Sequence, residues 1–211
     1  LVGSEMCIRD SICTNEICKY IIDNCPIKPV FWFVESNYSG DKKATALAFT
    51  QVRGKRVTCE ATIPREIVMR VLRSTPEMMV EYWQSSTMAV IQSGSIGAQG
   101  HVANGLTALF MACGQDVACV SEAAVGMTRM EMTETGELYA SVTQPNLIVG
   151  TVGGGTALPT QRECLELLDC YGPGKARKFA EICGAVCLAG ELSIAAAISA
   201  VSYTHLRAHE T

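Results

Sequence analysis

Residues 94–116 read GSIGAQGHVANGLTALFMACGQD, a glycine-rich entry followed by an apolar run and a sharp stop. After glycines at 94, 97 and 100 come Val102, Ala103, Leu106, Ala108, Leu109, Phe110, Met111 and Ala112. This run suffices for about three helical turns at 1.5 Å per residue. Its apolar residues fall on nearly every side, which predicts a helix buried in a domain core. Gly114 ends the run, and Asp116 is the first charged residue after Glu81. A carboxylate at the buried end of a core helix is costly unless something pairs with it. Asp116 therefore calls for a cationic partner, and lysines are sparse, with none between Lys55 and Lys175.

Working outward from this stretch, helical and strand-like patterns alternate. Cys13 to Ile22 has mixed helical periodicity, stopped by Asn24, Pro26 and Pro29, and Val30 to Val34, VFWFV, reads as a short buried strand. A polar turn, Glu35 to Lys43, follows. Val57, Cys59, Ala61 and Ile63 alternate with Thr58, Glu60 and Thr62, the period of a half-buried strand, and Pro64 suits the first turn of a helix after it. Ser74 with Glu77 forms a capping-box pattern for the next helix. Beyond Asp116, Met127–Thr133 and Glu137–Thr143 flank Glu134-Thr-Gly136 as two strands flank a hairpin turn. Thr160 with Glu163 predicts the cap of a helix running to about Cys170, and Tyr171-Gly-Pro-Gly174 separates it from a final long helix.

The two ends read differently. Leu1–Ser11, LVGSEMCIRDS, can be encoded by a DNA segment whose reverse complement encodes Val201–Glu210, VSYTHLRAHE. No fold requires an inverted repeat of this kind, and the DNA resembles a transposase adaptor used to build sequencing libraries. Residues 1–11 and 201–211 are accordingly expected to be translated adaptor and are set aside from fold reasoning. His205 and His209 fall in that tail, which leaves His101 as the one histidine of interest. The remainder, residues 12–200, is expected to be an internal piece of a longer protein.

Composition excludes some functions. The 211 residues are 48% hydrophobic with a net charge of −4, so there is no basic field to hold nucleic acid and no polybasic membrane patch. The length allows one sizeable core. Cysteines are frequent but form no CxxC pair and have almost no histidine beside them, so no metal site is expected. They read as free thiols packed as small hydrophobes in a reducing, intracellular compartment. Phe179–Ala200, FAEICGAVCLAGELSIAAAISA, approaches the length of a membrane span, but Glu181, Glu191 and its small residues favour a helix buried in the core or at a subunit contact.

Three motifs could carry chemistry. Gly150–Thr156, GTVGGGT, lies between a strand and a helix, where successive glycines let a backbone turn its amides toward a phosphate. It matches neither the dinucleotide fingerprint nor the lysine-bearing phosphate loop, and a tight structural turn is the alternative. Asp41-Lys42-Lys43 is either a solvated turn or a pair of lysines of which one enters a site while the other grips an acidic substrate. His101, one turn before Asn104, reads as a hydrogen-bonded core or pocket-wall residue rather than a catalyst.

From about Val30 to Ala200 these motifs, NYSGDKK, RGK, CEATIP, GSIG, HVAN, ACGQD, LYAS, GTVGGGT and AGELS in that order, resemble the 3-hydroxy-3-methylglutaryl-coenzyme A reductase family, in the class that includes the eukaryotic enzymes. The resemblance implies an α+β fold. A large catalytic domain built around a central buried helix would take residues 44–200, and residues 12–43 would be the tail of a small ferredoxin-like NADPH-binding domain with the connecting turn. It implies reduction of 3-hydroxy-3-methylglutaryl-CoA by two NADPH to mevalonate and coenzyme A in isoprenoid biosynthesis. Lys42 would be the catalytic lysine and Asp116 its aspartate partner. Asn37, Asp41, Lys43 and Asn104 would line the substrate pocket, and Gly153, Gly154 and Gly155 would contact NADPH. A homo-oligomer with active sites at subunit interfaces would follow. The location would be the cytoplasm, or the cytoplasmic face of the endoplasmic reticulum if an anchor precedes the region, with no membrane contact within it.

Departures from the family pattern are also visible. Its catalytic glutamate, its acid histidine and its DAMGMN-type cofactor motif fall outside residues 12–200, so the 211-residue chain alone is expected to be inactive. Glu35-Ser36 stands where the pattern has Ser-Gly, Ser85 where it has a substrate-gripping lysine, and the segment around Gln99 differs from Asn-Ala-His. They keep open a non-catalytic or substrate-divergent homologue that binds coenzyme A or nucleotide.

Overall fold

Alternating side chains in two segments of the chain, and a third between them in space, make the sheet on which the helices rest. A computed structural model describes residues 5–30, 41–50 and 52–208. The strands are β1 (Lys55–Ile63), β2 (Met127–Met132) and β3 (Leu138–Leu147), ordered β1-β3-β2 and antiparallel throughout. Ala140 of β3 faces Ala61 on one side and Met130 on the other, and Val142 faces Cys59 and Thr128. The expected alternation in β1 and the hairpin turning at Glu134-Thr-Gly136 are both present. The VFWFV strand falls almost wholly outside the described residues, as does the polar turn up to residue 40.

The helices are α1 (Glu5–Asn24), α2 (Arg65–Ile67), α3 (Pro76–Gln92), α4 (Val102–Ala112), α5 (Val120–Ala123), α6 (Pro159–Leu167) and α7 (Ala176–Ala208). Thus α1 begins within residues 1–11, and α7 runs past residue 200. One face of the sheet, including Val57, Met130, Leu138, Ala140 and Val142, is buried, with α7 packed on β1 and β3 and α3 on β2. The other face carries polar pairs. Tyr139 donates its hydroxyl to Glu60 at 2.6 Å, and the Thr58 and Thr143 hydroxyls lie 3.0 Å apart. The chain is thus a mixed helix and strand fold with a small antiparallel sheet, as the α+β expectation has it.

α4 covers the span expected of the central helix but is not buried all round. Val102, Gly105, Leu106 and Phe110 are buried, whereas Ala103, Ala108 and Ala112 are exposed and Met111 is 62% exposed. The core helices pack against one side of α4 only, principally α7.

Two helix starts differ from their sequence signals. The cap of α3 is Thr75, whose Oγ1 accepts from Met78 N at 3.3 Å. Ser74 is instead 2.7 Å from the Ser199 hydroxyl on α7, a tertiary partner that no local pattern reveals. The cap position of α6 is Leu158, with Pro159 opening the helix, and Thr160 lies inside it.

α7 is long and apolar enough to cross a membrane by composition over Ala176–Ala200. In this fold more than half of that window is buried against the sheet, α3 and α4. Small residues allow the close approach. A Cβ on Gly184 would lie 2.8 Å from both Cys59 Sγ and Val57 Cγ1, and a Cβ on Gly190 would run into the His101 ring. The ten described cysteines are all free thiols, and Cys113, Cys119, Cys170, Cys183 and Cys187 are buried.

Glu191, only 4% exposed, joins α7 to the start of α4. Its carboxylate accepts from the backbone amides of Gly100 at 2.9 Å, His101 at 2.5 Å and Val102 at 3.1 Å, and from the Thr128 hydroxyl of β2 at 2.9 Å. A helix start leaves about four amides without helical partners and carries partial positive charge, so a buried carboxylate there is compensated rather than stranded. Trp83 of α3 donates to Thr128 O at 2.6 Å and adds a fourth element to the junction.

Two stability predictions follow from these contacts. Glu191→Gln, which swaps an anion accepting four donors for a neutral amide, should cost about 2–3 kcal/mol, since hydrogen bonds to charged groups run to about 1.5–3 each. Chemical denaturation of both proteins measures this, and an unchanged midpoint would refute it. Gly184→Leu should destabilise by about 1–3 kcal/mol, the usual cost of overpacking. A melting temperature at or above the parent's would show that α7 has room the contacts do not indicate.

Candidate functional site

The end of α4 delivers Asp116 to a lysine. Gly114 has φ +64°, the left-handed turn that ends the helix, and Gln115 N donates back to Phe110 O at 2.8 Å. Asp116 then divides its carboxylate between two tasks. Oδ1 accepts from Ala118 N at 3.0 Å and caps the turn Val117–Cys119, while Oδ2 lies 2.9 Å from Lys42 Nζ. The cation that Asp116 requires is therefore Lys42. Lys55, another candidate, donates instead to Val149 O at 2.9 Å.

The pair is partly shielded, with the Lys42 side chain 40% exposed and that of Asp116 19%. The hydrogen bond that Lys42 donates to Asp116 raises the lysine pKa above its ordinary 10.5; partial burial opposes this, and the fields of Asp116 and Asp41 assist. Lys42 is therefore a full cation at neutral pH, reachable from solvent and held in direction. The nearby Cys119 thiol is pushed up to about 12, chiefly by burial and then by Asp116 and Glu122, so it stays neutral.

Beneath the lysine lies a polar cluster whose members the sequence motifs do not bring together. Glu122, 4% exposed, accepts from the backbone N–H of Lys42 at 3.0 Å, from Arg53 Nη2 at 2.5 Å and from Asn146 Nδ2 at 3.0 Å. Arg53 also pairs with Asp41. Asn146 Oδ1 accepts from Gly54 N at 2.9 Å, which completes a ring of contacts among the Lys42 turn, the RGK segment, α5 and the end of β3. In the sequence Glu122 is an acidic residue six positions after Asp116 and Arg53 opens the RGK motif, but nothing local marks them as partners.

The glycine-rich loop meets the same end of α4. A Cβ on Gly114 would fall on the carbonyl of Gly155, and Gln115 Oε1 accepts from Gly150 N at 2.8 Å, so ACGQD and GTVGGGT interlock. Gly153 at φ +75° and Gly154 at φ +54° take conformations that favour glycine, and Gly154 is exposed whereas Gly155 is buried. Thr156 closes the turn with its hydroxyl on Gly153 O at 2.6 Å. The loop is thus a tight structural turn that still leaves glycine backbone open to solvent.

The remaining predicted positions are more scattered. Asp41 sits beside Arg53, and exposed Lys43 donates to Asp41 O at 3.2 Å. Asn104 is exposed in the first turn of α4, at the end away from Asp116. Ser85 is exposed on α3. Asn37, like Glu35 and Ser36, lies outside the described residues. His101 is hydrogen-bonded through its backbone amide, which donates to Glu191, and its ring is packed. Its ring fits between Gly105 and Gly190, and its Nδ1 is buried with no hydrogen-bond partner among the described residues.

Comparison with known proteins matches this arrangement of motifs to one family. The sequence profile of hydroxymethylglutaryl-coenzyme A reductase matches residues 10–211. The 3-hydroxy-3-methylglutaryl-coenzyme A reductase of Pyrococcus horikoshii is 44% identical over 207 residues, 95% of this chain and 49% of that protein. That of Methanocaldococcus jannaschii is 39% identical over 194 residues, 90% of this chain and 48% of its own length. The Xenopus laevis protein of the same name is 42% identical over 177 residues, 79% of this chain and 20% of its own. The chain spans about half the length of the archaeal relatives it matches. With a profile match over nearly its whole length and this identity to proteins that share one name, the chain belongs to the hydroxymethylglutaryl-coenzyme A reductase family.

Proposed function

We propose that this chain supplies the oxyanion-stabilising part of an active site that reduces 3-hydroxy-3-methylglutaryl-CoA to mevalonate and coenzyme A. The observation that carries this reading is the Lys42–Asp116 ion pair, a solvent-reachable ammonium aimed by a carboxylate. Reduction of a thioester carbonyl places negative charge on its oxygen, and a preorganised cation at that oxygen stabilises the transition state. Asp116 keeps Lys42 charged and directed, with its own geometry fixed by the cap on Ala118 N. Asn37, Asp41, Lys43 and Asn104 are proposed to contact the acyl substrate, with Lys43 drawing its carboxylate.

The fit of the chain to a nicotinamide cofactor rests on the glycine loop. Exposed Gly154 and half-buried Gly153, both at positive φ, leave backbone where a phosphate-bearing ligand can approach without a side chain in the way. NADPH, when bound, supplies the reducing equivalents. Gly153 and Gly154 would hold it, and Gly155 supports them by packing on Gly114. Residues 12–43 are proposed to belong to a small ferredoxin-like cofactor domain. The exposed side of α4, with Met111 near its C-terminal end, supports a homo-oligomer whose subunits share the site.

His101, wedged between two glycines, is not placed to deliver a proton near Lys42. The 211-residue chain alone is accordingly proposed to complete no turnover. The second reading, a homologue that binds coenzyme A or nucleotide without turnover, draws on Ser85 in place of a lysine.

In the full-length protein carrying this chain, Lys42→Ala should lower NADPH oxidation with 3-hydroxy-3-methylglutaryl-CoA by at least about 10²–10³-fold, the usual loss for an oxyanion donor. Its circular dichroism should stay unchanged, because the side chain is partly exposed. Near-parental turnover would remove Lys42 from the chemistry, and no turnover in the parent would favour the binding-only homologue.

The pH dependence has a defined sign. Because the folded-state pKa of Lys42 is raised, its pairing with Asp116 is fully present below 10.5 and is lost as pH climbs through the higher folded value. The alkaline limb of the rate profile should lie above 10.5, and Asp116→Asn should move it down toward 10.5 while lowering kcat. A limb unmoved in Asp116→Asn would show that Asp116 does not tune the lysine.

A further inference from the structure

The geometry points to Glu122 as a positioning residue for Lys42, acting on the backbone of the lysine rather than on its ammonium. This inference rests on the catalytic reading of Lys42 proposed above. Lys42 has φ +57°, a left-handed conformation rare for a residue with a long side chain. A residue held there is kept by its surroundings, and the contact made at its backbone is the hydrogen bond from Lys42 N to Glu122 Oε1 at 3.0 Å.

Glu122 is well built for the task. Its carboxylate is 4% exposed and is itself fixed by Arg53 at 2.5 Å and by Asn146 at 3.0 Å, so the acceptor it offers Lys42 is immobile and charged. Glu122 and Asp116 lie on one short segment, the turn Val117–Cys119 followed by α5. One segment thus grips Lys42 at both ends, Asp116 by the ammonium and Glu122 by the main chain. Releasing the backbone end lets the peptide leave the left-handed region and swings the ammonium off its line. An error of about 1 Å in such a group can cost 10²-fold in rate.

The groups facing the pair are Asp41, Arg53, Cys119 and Asn146. The lysine pKa is raised first by the hydrogen bond to Asp116, against partial burial, and then by the fields of Asp116 and Asp41. Direct electrostatics and positioning are separated by Glu122→Gln, which removes the charge yet keeps an acceptor for the Lys42 N–H.

The test uses Glu122→Met, which removes the acceptor at similar size, and Glu122→Gln, which keeps a neutral oxygen for Lys42 N–H. The lysine pKa is read by NMR of 13C-methylated lysines, with the Lys42 resonance assigned by its absence in Lys42→Ala. Glu122→Met should lower the Lys42 pKa toward 10.5, as Asp116→Asn does. In the full-length protein it should reduce kcat by about 10- to 100-fold with KM changed less than about threefold. Glu122→Gln should restore most of both. If Glu122 serves stability alone, both variants lose melting temperature while the Lys42 pKa and kcat per folded molecule stay at parental values, and the inference is overturned.

Should Glu122→Met fail to fold, hydrogen exchange in the parent decides. The Lys42 amide, in an exposed turn, should exchange at least about 10²-fold more slowly than an unprotected amide, and unprotected exchange overturns the proposal. Failure of the catalytic reading would appear separately, as full turnover in Lys42→Ala with the pKa result intact.

Discussion

The carboxylate of Glu191 at the start of α4 is the contact on which the remaining geometry depends. It comes from the middle of α7, is removed from water, and takes the amides of Gly100, His101 and Val102 together with the Thr128 hydroxyl. One ionised group thus fixes the central helix, the long core helix and the edge strand β2 in a single arrangement. The helix it anchors is about 16 Å long at 1.5 Å per residue. The far end of that helix presents Asp116, so the position of the lysine partner is set by how the first turn is held.

Acidic residues in this chain divide their work by what they grip. Glu191 holds backbone at a helix start, and Glu122 holds backbone at a strained turn. Asp116 holds backbone with one oxygen and the Lys42 ammonium with the other. A buried carboxylate with such donors is compensated, whereas one facing apolar side chains would be expelled or protonated. The chain can therefore bury Glu191 and Glu122 while leaving Lys42 40% exposed. Among these acids Asp116 is the one that pairs with the Lys42 ammonium, while Glu122 holds the same residue by its main chain.

What was legible in the sequence was whatever is written locally. The apolar run 102–112 and the alternation of Val57, Cys59, Ala61 and Ile63 marked α4 and β1 because helix and strand periods are carried by neighbouring residues. Asp116 could be given a requirement for a cation because an unpaired acid at the end of a core helix is costly. The exposure of one side of α4 was not legible, because apolar residues tolerate either environment and only the packing of α7 decides which side is covered. The cap of α3 was misplaced by one residue because Ser74 and Thr75 are equally good caps locally, and Ser199 on α7 engages the first. The grouping of Glu122, Arg53 and Asn146 was invisible for the same reason, since each finds its partner far along the chain. The resemblance supplied the rest of the site, and Asn37 lies where the structure gives no position to set against it.

The apolar character of α7 and the placement of His101 have one cause. A helix that must approach β1 within the reach of Val57 and Cys59 side chains has room only for glycine at 184. At 190 it has room only for glycine because the imidazole of His101 occupies that space, between α4 and α7. The histidine is thereby used as packing, at the end of α4 away from Asp116. What the described residues set near Lys42 is electrostatic. The chain presents a lysine whose charge is secured by Asp116, set in a backbone that Glu122 and Arg53 hold rigid, beside a glycine loop locked to the same helix end. Chemistry that develops negative charge on an oxygen suits such a surface.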